Sequence, residues 1–168
     1  MSKKLEIKEL TLENFQKYGT FAPLIPPTSN PLVGLETPIR FWPDCGGVLD
    51  LGPNASNQLA IGICQVDYRD FKVDVSEFHT SCGEANIPLD GDIYIHVAPP
   101  TTSNEINVDE IEIFKVKQGT VVIMKPGVWH HAPFSTKAGE TVNTIIMLPQ
   151  RTYFNDCEVF EIKDAPTF

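Results

Sequence analysis

The sequence predicts an all-β protein with a single domain and a short N-terminal helix. Short runs rich in β-branched and aromatic residues recur after residue 57, and turn-forming residues separate them. Almost no segment has the periodicity of an amphipathic helix. The length of 168 residues with 42% hydrophobic content fits one core, so residues 1–168 are predicted to form one domain. Repeated strands with few helices are typical of antiparallel sandwiches and barrels.

The first element is a strand-like run followed by a helix start. Residues 6–10 alternate between polar and apolar side chains, as in a half-buried strand. Thr11 then stands at the N-cap position of a short helix, with Asn14 three residues later. Gly19 is expected to end this helix.

A long loop region follows over residues 21–56. It is rich in Pro and Gly, and residues 26–31 read Pro-Pro-Thr-Ser-Asn-Pro. This composition excludes long regular structure. Loops of this length in a compact domain often cover a binding site. Residues 57–163 are expected to form the barrel core.

Seven strands are predicted from the β-rich runs, and turn sequences such as Asp90-Gly91 separate them. They cover residues 59–66, 71–75, 93–98, 111–116, 120–124, 141–148 and 158–162. No internal repeat of fixed period is visible, so the sequence does not indicate a repeat architecture.

The charge and the apolar content limit the partners. Lys and Arg total 13 against 22 Asp and Glu, and the formal charge of -9 repels nucleic acids at long range. The N-terminal segment has no apolar signal-peptide core, and no run of about eighteen apolar residues could cross a membrane. We therefore expect a cytoplasmic protein with a small-molecule substrate and without nucleic-acid or membrane partners.

The cysteines are widely spaced and include no Cys-x-x-Cys pair. They are Cys45, Cys64, Cys82 and Cys157. This spacing argues against a zinc ribbon or a disulfide-dense scaffold. We expect reduced and mostly buried thiols.

Two histidine-containing segments carry the candidate chemistry. The first contains Glu77, His79 and Glu84, and the second contains His130 after a Lys-Pro-Gly turn. Glu77 and His79 project from the same face of a strand, because side chains alternate along it. Strand pairing is expected to bring all four side chains into one pocket.

Imidazole and carboxylate groups together fit two kinds of chemistry. They can hold a divalent metal such as Zn, Mn, Fe or Ni, or they can act as a general acid and base without a metal. The residue types leave both open. His96 is expected to be structural, whereas His131, which points away from His130 in a strand, fits either role.

The first of these segments resembles the first motif of the cupin superfamily. The spacing of that motif is kept by Glu77, His79, Glu84 and Gly91. A glutamate replaces its first histidine, and Phe71 stands in place of its opening glycine. The resemblance implies a cupin fold, which is a double-stranded β-helix or jelly-roll barrel.

The second segment resembles the second cupin motif, which is matched by Gly119, Gly127 and His130. Its proline is displaced by one position to Pro126, and Phe134 stands in place of its asparagine. The two motifs, in order along a strand-rich chain, are more specific than either is alone.

A closer resemblance is to the ureidoglycolate lyase family, also called ureidoglycolate hydrolase, whose members are small homodimeric cupins of allantoin breakdown. Four stretches carry it, at residues 77–79, 87–91, 128–133 and 155–159. The run Trp129-His130-His131 is its most specific part. A glutamine is common in place of Glu84 in this family, and the loop of residues 23–53 also differs. The resemblance implies a homodimer.

The resemblance also implies a carbon–nitrogen lyase that splits ureidoglycolate into glyoxylate and urea by acid–base chemistry. His130 and Glu84 are the candidates for proton transfer, with His79 as a third catalytic residue. If a divalent metal is bound, it would act as a Lewis acid. Its candidate ligands are Glu77, His79, Glu84 and His130.

Two further residues are candidates for substrate contact. Arg69 could pair its guanidinium with the substrate carboxylate, with a solvated surface arginine as the alternative. Trp129 could contact the substrate beside His130, with packing in the core as the alternative.

Two other functions fit the same residues. Glu84 restores the general cupin motif, which favours a metal-dependent isomerase, epimerase or dioxygenase acting on a small sugar or acid. A non-catalytic protein that only binds a small ligand belongs to a different class.

Overall fold

The computed structural model describes residues 3–34 and 38–168, and within them it contains eleven strands and two short α-helices. The strands are β1 (Ile7–Glu9), β2 (Gly19–Pro23), β3 (Leu59–Asp67), β4 (Val75–Phe78), β5 (Glu84–Pro88), β6 (Ile93–Val97), β7 (Glu112–Val116), β8 (Thr120–Met124), β9 (Phe134–Ser135), β10 (Thr141–Pro149) and β11 (Glu158–Glu161). The helices are α1 (Leu12–Phe15) and α2 (Thr152–Asn155), and a 3₁₀ turn covers Val108–Glu110. The predicted all-β class and the short N-terminal helix are confirmed.

Two larger sheets and a two-stranded ribbon make up the fold. The strand order is β1-β7-β6-β9 in one sheet and β2-β8-β5-β10-β3 in the other, and β4 pairs with β11. All of these pairs are antiparallel except β1 with β7. Within the described residues the sheets do not close into a continuous barrel, and instead they share a core.

The core between the two sheets is built from alternate residues of their strands. One buried cluster contains Ile93, Ile95 and Val97 of β6 together with residues of β8 and β10. The ring of Phe15 from α1 packs edge-on against Phe114 of β7, with 5.2 Å between the ring centroids. Helix α1 therefore contributes to the same core as both sheets.

Strand β8 is apolar without alternation because both of its faces are buried. Val122 belongs to the core between the sheets. Val121 and Ile123 belong to a second cluster, which includes Leu24 and Leu49 of the long loop. The loop thus covers the outer face of the five-stranded sheet at this strand.

The long loop begins later than predicted. Strand β2 extends to Pro23 and pairs along its whole length with β8, so residues 21–23 are strand. Residues 24–34 and 38–58 contain no helix and no strand beyond a single bridge. Gly19 begins this strand rather than ending α1. A Cβ at Gly19 would lie 1.8 Å from the carbonyl oxygen of Ile123, so the close approach of β2 to β8 requires glycine.

The core also extends beyond the predicted limits of residues 57–163. Strands β1 and β2 precede this range and belong to the two sheets. After it, Ala165 is buried, and Thr167 forms bridges with Lys4 and Lys72. Both ends of the chain therefore complete the fold.

Six of the seven predicted strands coincide with observed strands to within one residue. The seventh, predicted at residues 71–75, is displaced, since β4 begins at Val75. Strands β2, β5 and β9 lie outside the predicted runs. Strand β5 buries the polar side chains of Glu84 and Asn86, so it lacks the apolar pattern of an ordinary core strand.

The predicted cap of α1 is observed. Thr11 Oγ1 accepts a hydrogen bond of 3.3 Å from the backbone N–H of Asn14, and Asn14 Oδ1 accepts one of 3.0 Å from the N–H of Thr11. Both α-helices have four residues. In the part of the chain that the structure describes, no helix is long and apolar enough to cross a membrane.

All four cysteines are free thiols, as predicted. Cys82 is buried, whereas Cys45, Cys64 and Cys157 are half-buried. The expected burial therefore holds for one of the four.

Candidate active site

Three separate segments bring the four predicted site residues together. Glu77 lies in β4, His79 follows it, Glu84 begins β5, and His130 lies beyond β8. An antiparallel bridge joins Glu77 to His130, and their backbone groups exchange hydrogen bonds of 2.6 and 2.8 Å. All four side chains are buried, with at most 7% of any residue exposed. The expected meeting of these segments in one enclosed place is observed.

The turn before His130 depends on a glycine. Gly127 has a φ of 79°, in the left-handed region that other residues rarely adopt. Its N–H donates a hydrogen bond of 2.7 Å to the carbonyl oxygen of His79. The turn thus ties the segment that carries His130 directly to His79.

Glu84 lies between the two imidazoles. Its Oε2 is 3.2 Å from His79 Nε2 and 3.4 Å from His130 Nε2. Its other carboxylate oxygen accepts a hydrogen bond of 2.7 Å from Asn86 Nδ2. One carboxylate oxygen can therefore exchange a proton with either imidazole.

The opposite ring nitrogens fix the orientation of both imidazoles. His79 Nδ1 lies 2.7 Å from the carbonyl oxygen of Asp156, and His130 Nδ1 lies 2.8 Å from that of Val128. A carbonyl oxygen only accepts, so each Nδ1 carries a hydrogen and donates it. Each Nε2 is thereby left for the site, which is the arrangement that metal-binding histidines show.

Burial and charge shift the pKa values of Glu84 and His130 in opposite directions. Burial alone would raise the pKa of Glu84, but the charge of His130 and the contacts with both imidazoles outweigh it and hold this pKa below its usual range. Burial alone would lower the pKa of His130, but the charge of Glu84 raises it to about 9. At neutral pH the two residues therefore form a buried imidazolium–carboxylate pair.

The same residues fit a divalent metal ion. The ligand atoms of Glu77, His79 and His130 all lie within 4.8 Å of one another. His130 Nε2 is buried without a hydrogen-bond partner, although it lies 3.4 Å from Glu84 Oε2. Two imidazoles and a carboxylate suit Zn, Mn, Fe or Ni. Glu84, the fourth predicted ligand, contacts both imidazoles but is not one of this group of three.

Tyr153 of α2 stands at the rim of the site. Its ring is edge-on to that of His79, with 6.0 Å between the centroids, and 54% of the residue is exposed. Burial of its hydroxyl and the charges of Glu84 and Glu77 raise its pKa. No local sequence pattern indicates this position, because Tyr153 lies in a four-residue helix far along the chain from β4.

Two cysteines also border the site. The thiol of Cys157 donates a hydrogen bond of 3.1 Å to Glu77 Oε2, and burial together with this carboxylate raises the pKa of Cys157 to about 12. Burial and the charge of Glu84 raise the pKa of Cys64 in β3. The stretch at residues 155–159 pointed to Cys157, whereas nothing in the sequence pointed to Cys64.

Arg69 is half-buried beside the segment that follows His130. Its Nη2 donates to the carbonyl oxygens of Ala132 and Pro133 at 2.9 and 3.2 Å. Its guanidinium lies 3.6 Å from the ring centroid of Phe134. These contacts exclude a freely solvated side chain, and contact with a substrate stays a prediction.

Trp129 is a packing residue, which corrects the prediction that it contacts the substrate. It is fully buried, and its ring packs against Phe78 and Phe160 at centroid distances of 4.5 and 5.4 Å. Its Nε1–H donates to Thr101 Oγ1 at 3.0 Å. A ring enclosed by the core cannot reach a ligand without rearrangement.

The two remaining histidines lie outside the group around Glu84. His96 is fully buried, and its Nε2 lies 3.0 Å from Ser76 Oγ. Burial holds the pKa of His96 well below its usual value, which agrees with the predicted structural role. His131 is half-buried, and burial likewise lowers its pKa.

Among solved structures, the chain is similar to the oxalate decarboxylase of Bacillus subtilis, a protein with Mn(II) centres. The TM-score is 0.43 at 12% identity, over 62% of this chain and 24% of that one. It is also similar to vicilin from Solanum lycopersicum (tomato), with a TM-score of 0.42 at 13% identity over 61% of this chain and 26% of that one. The chain spans about a quarter of the length of these proteins, and similarity at this level carries no information about its activity.

The sequence itself matches the family model of ureidoglycolate lyase over residues 2–167. No curated protein matches it. The family match covers nearly the whole chain and includes every residue of the enclosed site. The protein therefore belongs to the ureidoglycolate lyase family.

Proposed function

We propose that this protein is a carbon–nitrogen lyase that splits ureidoglycolate into glyoxylate and urea. The observation that supports it most is the Glu84 carboxylate held between two imidazoles in an enclosed site. An acid and a base in contact are what this reaction needs, and the family of the chain is named for it. The proposal includes a role in allantoin and purine breakdown in the cytoplasm.

Ureidoglycolate is a carbinolamine, so its cleavage needs two proton transfers and no redox cofactor. A base removes the proton of the hydroxyl group, the carbonyl group of glyoxylate forms, and the carbon–nitrogen bond breaks. The electron pair of that bond stays on the urea nitrogen, which takes a proton from an acid. The atoms balance without water or another reactant.

Glu84 has the role of the base and His130 that of the acid. At neutral pH Glu84 is ionised and His130 is protonated, which is the state required at the start. A carboxylate with a lowered pKa is a weak base, but its pKa rises once His130 loses its charge, because that charge helps to lower it. The two transfers are therefore coupled. The proton then returns from Glu84 to His130 across their 3.4 Å contact.

His79 and Glu77 complete the proposed site. His79 Nε2 contacts the same oxygen of Glu84 and so helps to orient it. If a divalent ion is bound, Glu77, His79 and His130 would hold it, and it would supply Lewis-acid polarisation of the substrate. The two histidines would then be ligands, and Glu84 would both accept the hydroxyl proton and pass it to the departing urea nitrogen, so that the protons still balance.

Arg69 is the proposed counter-charge for the substrate carboxylate. Its guanidinium is held by two backbone carbonyls and by the ring of Phe134, next to the segment that carries His130. A guanidinium has five N–H donors, and the carbonyl oxygens of Ala132 and Pro133 accept hydrogen bonds from the Nη2 group. The fixed orientation and the planar array of donors suit bidentate binding of a carboxylate.

A two-fold homodimer through strand β3 is also proposed. This strand is an edge of the five-stranded sheet, and among the described residues it pairs only with β10. Leu59, Ile61 and Ile63 are exposed on it, and Asp67 is its only charged residue. An exposed apolar edge can pair with another strand, and a second copy of the chain offers an identical edge. Each copy has a formal charge of -9, and a charge-poor edge lowers the repulsion between two copies that meet there.

Removal of the proposed base or acid should abolish most of the turnover. Glu84→Gln is expected to lower kcat for urea and glyoxylate release by roughly 10²–10⁴-fold, because an amide cannot accept the hydroxyl proton. His130→Ala should cause a loss of the same order. Glu140→Gln changes an exposed glutamate in the turn before β10 and should keep the wild-type kcat. Activity that survives both site changes, with the circular dichroism spectrum retained, would contradict the proposal.

Elemental analysis tests the metal. If the site holds a metal, about one divalent ion per chain is expected, with a much lower content in Glu77→Gln but not in Glu140→Gln. Treatment with a chelator should then abolish urea release, and the ion should restore it. Full activity in metal-free protein would show that proton transfer by Glu84 and His130 needs no metal ion. Consumption of oxygen with Fe(II), in place of urea release, would favour a dioxygenase.

The role of Arg69 is tested by substitution with a neutral side chain of similar length. Arg69→Met should raise KM by roughly 10–100-fold and change kcat less, because a charged hydrogen bond to the substrate carboxylate is lost. Arg40→Met removes an exposed arginine and is the matched control. An unchanged KM in Arg69→Met would show that the counter-charge lies elsewhere.

Light scattering after size-exclusion chromatography tests the dimer. The wild-type protein should elute with twice the mass of one chain, and Ile63→Asp should elute as a monomer because it buries a charge at the contact. Leu12→Asp carries the same change at an exposed position of α1 and should remain dimeric. A monomeric wild-type protein, or a dimeric Ile63→Asp variant, would refute this interface.

A further inference from the structure

Asp156 and Cys157 have no role in the proposed chemistry, yet both contact residues that do. They lie between α2 and β11, and both are half-buried. Strand β11 pairs with β4, so this dipeptide is held beside the end of the strand that carries Glu77.

The carboxylate of Asp156 binds the backbone just after His79. One oxygen accepts hydrogen bonds from the N–H and the hydroxyl of Thr80, at 3.0 and 2.6 Å. The other oxygen accepts one of 2.7 Å from the N–H of Ser81. The side chain of Asp156 therefore holds the backbone of Asp156 in place relative to His79, the residue before Thr80.

The backbone carbonyl of Asp156 then acts on His79 itself. It accepts the hydrogen bond of 2.7 Å from Nδ1–H, which places the hydrogen on that nitrogen and leaves Nε2 for the site. The next residue, Cys157, donates its thiol hydrogen to Glu77 Oε2 at 3.1 Å. Two adjacent residues therefore contact both site residues contributed by β4 and the turn after it.

We propose that Asp156 and Cys157 are positioning residues, with Asp156 setting the tautomer and ring orientation of His79 and Cys157 holding the carboxylate of Glu77. The inference rests on the proposed function in that His79 and Glu77 are taken as part of the reactive site. Hydrogen bonds of this kind, from groups that support a ligand, typically change metal affinity or activity by about 10–100-fold when they are removed.

The alternative to this proposal is that Asp156 and Cys157 have a purely structural role. The same contacts also join the β4–β11 ribbon to the turn at Thr80, so their loss could lower stability alone. A structural role would not change the tautomer of His79 in the folded protein or the affinity for a metal probe.

The experiment compares Asp156→Ala, Asp156→Asn, Cys157→Ala and Cys157→Ser with the wild-type chain. Nitrogen-15 chemical shifts of the His79 ring report its tautomer, and competition with a chromophoric chelator measures the affinity for Zn²⁺. Asp156→Ala should populate both tautomers of His79 and weaken Zn²⁺ binding by about 10–100-fold, with Asp156→Asn in between. Cys157→Ser, which keeps a donor, should bind Zn²⁺ more tightly than Cys157→Ala.

Asp90→Ala is the matched control. Asp90 also accepts hydrogen bonds from the backbone and the side chain of one residue of another segment, Asn143, but it lies in the turn after β5. Its removal should leave both readouts unchanged. A single, wild-type tautomer and wild-type Zn²⁺ affinity in folded Asp156→Ala would overturn the role of Asp156. Equal Zn²⁺ affinities in the two Cys157 variants would overturn the role of Cys157.

If Asp156→Ala does not fold, Asp156→Asn tests the role of Asp156 with the same two readouts. The two cysteine variants, which differ by a single hydrogen-bond donor, test that of Cys157. Neither readout needs a substrate. If ureidoglycolate is not cleaved but the tautomer and the Zn²⁺ affinity change as expected, the proposed reaction fails and the positioning role stands.

Discussion

The buried carboxylate of Glu84 is the constraint on which the rest of the site depends. An ion taken out of water loses several kcal/mol of solvation unless partners compensate it. Here two imidazoles contact one of its oxygens and the amide of Asn86 binds the other. These partners come from the segment after β4, from β5 and from the segment after β8, so the charge is compensated only when the three segments meet. The backbone bridge between Glu77 and His130 makes that meeting part of the fold.

The same compensation supports the chemistry. The charge of His130 keeps Glu84 ionised, and the charge of Glu84 keeps His130 protonated, so an acid and a base stay in contact at neutral pH. A neutral side chain at this position, such as glutamine, could not take up the hydroxyl proton, so the proposed mechanism depends on the charge of Glu84.

Backbone carbonyl groups orient the two imidazoles of the site through their Nδ1 atoms. The carbonyl oxygens of Asp156 and Val128 bind the Nδ1 atoms of the two imidazoles, and the carbonyl oxygen of His79 accepts the N–H of Gly127. Backbone groups in paired strands and tight turns move little, so the side chains that they bind are held in fixed orientations. The exposed Tyr153 at the rim is the least constrained of the groups near the imidazoles.

The sequence by itself determined the class of the fold, strand β1 and six later strands, the cap of α1 and the four residues of the site. Each of these rests on a local pattern: alternation along a strand, a side chain bonded three residues away, or motif spacing. Only the tertiary structure decided that Gly19 begins a strand, that Trp129 packs in the core, and that Arg69 is held by backbone carbonyls. The contacts of His79 with Asp156 and of Glu77 with Cys157 join residues 77 and 80 positions apart. Strand pairing and burial set such contacts, and no pattern within a few residues encodes them.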